Sequence, residues 1–126
     1  MVNIQIDLVS RKKNDGDQCF EYTDIERTLI DISVRPVYAG GVFEVLEAFK
    51  LARGKISAVK LANYLEQLSF TYPYHQVIGF YMDRAGYSES EIAHFRKEMR
   101  FEFYLTYDIR NKEFSEKWKL YYPKGI

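Results

Sequence analysis

The sequence predicts an α+β domain in which a cluster of about five helices packs on a small, largely antiparallel sheet formed by N- and C-terminal hairpins. Three observations predict it. Apolar side chains alternate with a period of two near both ends of the chain, recur every three to four residues through the middle, and are punctuated by caps, prolines and glycines where one helix should give way to the next. The chain of 126 residues suits one domain, residues 1–126.

Val2, Ile4, Ile6 and Leu8 alternate with Asn3, Gln5 and Asp7, the pattern of a half-buried strand. Asp15-Gly16 then reverses the chain, and Cys19, Phe20 and Tyr22 resume an extended segment, giving the first hairpin. Thr23 and Glu26 have the spacing of a capping box, so a helix begins there and turns Ile25, Leu29 and Ile32 to one side. Pro36 biases Arg35 away from helical geometry and stops it. Gly40-Gly41 turns the chain into a second helix carrying Val42, Val45, Leu46 and Phe49, which Gly54 ends.

Ser57 caps a third helix with Leu61, Leu65 and Leu68 inward, and Pro73 opens a fourth with Val77, Ile78 and Tyr81, closed by Gly86. Ser88 and Glu91 form a second capping box for a fifth helix that turns Ile92, Phe95 and Met99 to the core. The period then returns to two. Phe101, Phe103, Leu105 and Tyr107 make one strand, and Trp118, Leu120 and Tyr122 make the other strand of a second hairpin.

Composition removes several function classes. With 47% hydrophobic and 17% aromatic residues the chain can build a core and should not be disordered. Lys+Arg and Asp+Glu are equal at 18, so no overall charge attracts nucleic acid, although a local basic face is possible. Cys19 is the only cysteine, which forbids an intrachain disulfide and suits a reducing cytoplasm. The N-terminus lacks a basic signal region and no apolar stretch reaches membrane length, so a soluble, unexported protein with no membrane partner is expected.

No residue pattern calls for catalysis, a cofactor or a metal. His75 and His94 lack the short spacings of metal ligands and read as helix-surface residues. Glu89 and Glu91 complement a helix dipole. Asp7 and Glu21 with Lys12 or Lys13 can be drawn as a metal-dependent nuclease site, but the spacing matches no nuclease motif. Gly40-Gly41 before a helix could hold an anion, yet the Lys of a phosphate loop is missing and a turn is the simpler role. The many tyrosines offer either core and sheet-face packing or a stacking and protein-binding surface. Arg27 can pair with Asp31, and Arg35 suits a helix C-terminus or an acidic group on a partner.

The run Tyr22-Thr23-Asp24-Ile25-Glu26-Arg27-Thr28-Leu29-Ile30-Asp31, with Arg35-Pro36 and Ala39-Gly40-Gly41 after it, resembles the E-R-T-L-I-D…R-P…G-G signature of AbiE-type antitoxins. These are the antitoxin halves of bacterial type IV toxin–antitoxin and abortive-infection systems. The likeness continues through Gly41–Leu46, Phe70–Gln76, Tyr104–Asp108 and Lys117–Pro123, and covers about residues 18 to 126. Family members join a winged helix that binds the operator to an antitoxin domain, and this chain resembles the C-terminal antitoxin domain without the winged helix, because the segment before Thr23 is too short for a three-helix reader. The resemblance implies a non-enzymatic antitoxin in phage defence that counteracts a nucleotidyltransferase-like toxin, with or without a stable complex, and that has no direct DNA binding of its own. Arg27, Arg35, Gly40, Gly41 and Trp118 match the family's motif and are the partner-binding candidates it implies; it designates no catalytic residue. The alternative is a protein-interaction or dimerisation module of a transcriptional regulator.

Overall fold

The computed structural model describes residues 24–68, 72–97, 99, 102–106 and 109–126. The expected N-terminal hairpin, with Cys19, Asp7 and Glu21, lies outside the described residues, as does Thr23. The order is α1 (Ile25–Val34), a 3₁₀ turn (Pro36–Ala39), α2 (Val42–Ala52), α3 (Ala58–Leu68), α4 (Tyr74–Ala85) and α5 (Glu89–Ile92), the last running into a second 3₁₀ turn (Ala93–Phe95). Three short strands follow, β1 (Phe103–Tyr104), β2 (Lys112–Ser115) and β3 (Leu120–Pro123). The fold is α+β.

Helix α1 starts one residue later than the sequence suggests. Asp24 is its N-cap, accepting the Arg27 N–H at 2.9 Å, while Thr28 Oγ1 donates back to the Asp24 carbonyl at 3.0 Å. Glu26 is thereby freed from a capping box, and its buried carboxylate accepts the Ser57 N–H at 2.9 Å, just ahead of α3. Leu29, Ile30 and Ile32 are wholly buried where α1 meets α2, α3 and α4. Each such side chain contributes about 1.5–3 kcal/mol by leaving water.

Helix α4 is the central element, and α2 is its most extensive helical neighbour. Phe49 of α2 stacks on Tyr81 of α4 at 5.2 Å between centroids, and the Tyr87 hydroxyl donates to the Phe49 carbonyl at 2.8 Å. Burial pushes the hydroxyl pKa of both tyrosines well above the usual phenolic value. Both halves of the Ser88–Glu91 capping box form, but α5 lasts one turn before tightening to 3₁₀. That tightening aligns Ile92 and Phe95, three residues apart, so that both enter the core without the longer helix expected through Met99.

The sheet has the order β1-β3-β2, with β2 antiparallel and β1 parallel to β3. The hairpin at this end is therefore β2–β3, not the pairing of 101–107 with 118–122 that the alternation suggests. Its turn places Lys119 at φ 52. Once β3 returns beside β2, it occupies the middle position and meets β1 running the same way. Leu120 and Tyr122 face the helices, and Phe80 of α4 packs 5.0 Å from Tyr122.

Candidate functional site

The residues after α1 form a ledge whose shape is dictated by Pro36. The proline keeps Arg35 out of the α region, at φ −129 and ψ 81, and opens the 3₁₀ turn. That turn leaves Val37 78% and Tyr38 55% exposed. Arg35 donates to the Tyr38 hydroxyl at 3.0 Å and its Cζ sits 5.7 Å from the Tyr38 ring centroid, so the guanidinium is held at the surface with donors to spare.

Gly40 and Gly41 bend the chain into α2. Gly40 is left-handed at φ 99, and Gly41 adopts φ 117 and ψ 175, a combination essentially confined to glycine. Their N–H groups bond the carbonyls of Val37 and Pro36, and the Gly41 carbonyl accepts from Glu44 and Val45. The paired glycines thus spend their own donors on the turn itself and offer none to an anion.

Arg35, Gly40 and Gly41 line one concavity together with Val34, Pro36 and Tyr74. A neighbouring concavity shares Val34, Pro36, Tyr74 and Thr106 and continues to Tyr72, Phe103 and Tyr104. The two form one groove between the end of α1 and the edge strand β1. Its lining is chiefly apolar, with Arg35 at one end and Glu102 near the other, chemistry that suits binding.

No family model, curated protein or solved structure matches this chain.

The other two candidate residues stand apart from the groove. Arg27 lies on the exposed flank of α1 and meets Asp31 at 3.6 Å. Trp118, a partner-binding candidate only by its match to the motif, is 1% exposed. Its ring lies against Gly79 of α4, its Nε1–H donates to Asp83 Oδ2 at 3.0 Å, and Gln76 donates to its carbonyl at 2.7 Å. A tryptophan satisfied at every polar atom and enclosed by a helix serves the core.

Two features escape the sequence. His75 and His94 line one cavity, beside the Lys97–Glu66 ion pair of 3.2 Å. Among the described residues no group of three or more His, Cys, Asp or Glu could hold a metal ion. The second feature is a pair of polar clamps between elements distant in sequence. Asp24 receives Lys60 at 2.9 Å and the Tyr64 hydroxyl at 2.7 Å; Asp83 receives Lys117 at 2.9 Å and Trp118. Partial burial raises both carboxyl pKa values, but these donors and the nearby positive charge outweigh it and hold both below the ordinary value. Only the i,i+3 and i,i+4 partners of such residues are readable from spacing, and these partners are 34 to 40 positions away.

Proposed function

We propose that this chain is the antitoxin domain of a bacterial type IV toxin–antitoxin or abortive-infection module, a non-enzymatic cytoplasmic protein that counteracts a nucleotidyltransferase-like toxin. The reading rests on the E-R-T-L-I-D…R-P…G-G run, which folds as one helix–turn–helix unit and turns Arg35, Gly40 and Gly41 toward a single groove. The internal members of that run, Leu29 and Ile30, supply core. Arg35 and Tyr38 supply surface.

Co-expression with the neighbouring nucleotidyltransferase-like toxin should restore growth. Arg35→Ala combined with Tyr38→Ala should weaken that rescue while leaving the melting temperature unchanged, since both side chains are exposed. A folded wild-type domain that fails to rescue removes the proposal. The second reading, an interaction or dimerisation module, is supported by the exposed Val37, Tyr38 and Phe43 on the same ledge. Light scattering separates the two: a defined dimer without rescue favours the module.

A further inference from the structure

The solvent face of the sheet carries one aromatic ring from each strand in a single row. Phe114 of β2, Tyr121 of β3 and Tyr104 of β1 are register partners, with centroids 4.8 Å apart at each step. Tyr104 and Tyr121 are stacked, with an interplanar angle of 25°. Tyr104 ends the row. It is 51% exposed, and among the described residues its strand has a partner on one side only. Phe103 and Leu105 donate to the Lys119 and Tyr121 carbonyls, so by strand alternation the Tyr104 N–H and C=O face away from β3. The groove described above opens at that edge, with Tyr72, 59% exposed, also in its lining and packed 5.8 Å from Phe103 of β1.

Positive charge gathers beside the row. Lys112 reaches across it, its Nζ 5.4 Å from the Tyr104 centroid and 5.6 Å from that of Tyr121. Lys112 pairs with Pro123 and the Lys124 N–H bonds the Asn111 carbonyl, which brings Arg110, Lys112 and Lys124 to the same end of the hairpin. All three are exposed, and none forms an ion pair with a described acid. Arg35 adds a fourth such cation at the far end of the groove. The carboxylate on this face, Glu102, accepts the Tyr121 hydroxyl at 3.2 Å and can take an N–H from a base edge.

We propose that the β1 edge binds single-stranded nucleic acid, with an unpaired base continuing the ring stack on Tyr104 and the Arg110, Lys112 and Lys124 cluster holding the phosphates. An open ring face beside cations that no described acid pairs with suits an unstacked base and its backbone, whereas a duplex hides its base faces. This inference is independent of the antitoxin reading, and it is compatible with a chain that reads no operator.

Fluorescence anisotropy with the full chain tests it, using labelled 12-mers of oligo-U, oligo-A and oligo-dT and a 12-base-pair duplex. The single strands should bind more tightly than the duplex, and the RNA and DNA arms report whether the 2′-hydroxyl contributes. With about three phosphates engaged, raising salt from 50 to 200 mM should weaken binding roughly 20-fold. Tyr104→Ala should cost about 5- to 100-fold and Tyr104→Phe little, because stacking needs the ring and not the hydroxyl. Tyr72→Ala and Lys112→Glu, also on exposed side chains, repeat the test where Tyr104→Ala lowers the melting temperature. Equal affinity for duplex and single strand, or full affinity in well-folded Tyr104→Ala, overturns the proposal. So does binding of a proline-rich peptide at this face when the oligonucleotides do not bind.

Discussion

Gly79 and Trp118 interlock: a Cβ at position 79 would collide with Cζ3, Cη2 and Cε3 of the Trp118 ring. A glycine in mid-helix normally costs about 1 kcal/mol relative to alanine, so Gly79→Ala offers a local gain. The collision opposes it. Overpacking a dense core costs about 1–3 kcal/mol and often more where, as here, the obstructing atoms belong to a rigid ring whose Nε1–H is bonded to Asp83 and whose backbone carbonyl is bonded to Gln76. Gly79→Ala should therefore be net destabilising. Trp118 is the only tryptophan, so urea unfolding followed by its emission reads both stability and displacement of the ring. A variant with an unshifted emission maximum and an equal or higher midpoint would contradict the interlock.

Glu26 lies in the first turn of α1 and is 7% exposed, and its side chain joins α1 to α3 through the Ser57 N–H. Lys60 stands 3.7 Å away and supplies part of its countercharge. Glu26→Ala leaves that N–H without its acceptor and should lower stability by about 1–3 kcal/mol. Glu26→Gln keeps an acceptor oxygen and should lose less. Thermal melts of the two variants decide the matter; equal losses would mean that the hydrogen bond is incidental.

Gly40 and Gly41 are adjacent but demand different things of a substitute. Gly40 is in the left-handed region, which asparagine tolerates, whereas the φ 117, ψ 175 of Gly41 is costly for any side chain. Nothing lies within 4 Å of a Cβ at Gly41, so its penalty is purely that of the backbone. Gly41→Ala should cost about 1–3 kcal/mol and Gly40→Asn clearly less. Calorimetric melting of both variants measures the difference, and a Gly41→Ala protein as stable as wild type would show that the turn relaxes freely.

Helix positions, the stop at Pro36 and the buried faces were legible because each depends on neighbours within a few residues. Val45 and Phe49 share a face through the helical repeat, and the Ser88 cap is a four-residue pattern. The sheet was less legible. Strand β2, Lys112–Ser115, is too short and too charged to advertise an alternation, so its intrusion between the two aromatic segments is invisible, and with it the parallel pairing of β1. Trp118 illustrates the same limit at the site: its spacing from Leu120 suggests a strand, while its true partners, Gly79 and Asp83, lie 35 or more positions away. Arg35, Gly40 and Gly41 meet at one groove because a single proline turn joins them, which local rules do capture.

Asp24 and Asp83 give the protein a defined acid limb. Burial alone would raise both carboxyl pKa values, but Lys60, the Arg27 N–H and Tyr64 at Asp24, and Lys117 and Trp118 at Asp83, favour the charged forms more strongly. Each is depressed below its ordinary value of 3.8, so the folded protein binds fewer protons than the unfolded chain just below that pH. The stability each contributes is complete above about pH 4 and disappears as pH falls through the depressed folded value. The wild-type urea midpoint should thus decline with increasing steepness from pH 4 toward pH 2. Asp24→Asn together with Asp83→Asn should begin less stable at pH 7 and lose less on acidification, the two curves converging at low pH. Each clamp joins elements far apart in sequence, α1 to α3 and α4 to the β2–β3 turn, so the convergence tests tertiary pairing and not helix capping alone. Parallel curves at all pH values would show that neither carboxylate is coupled to folding.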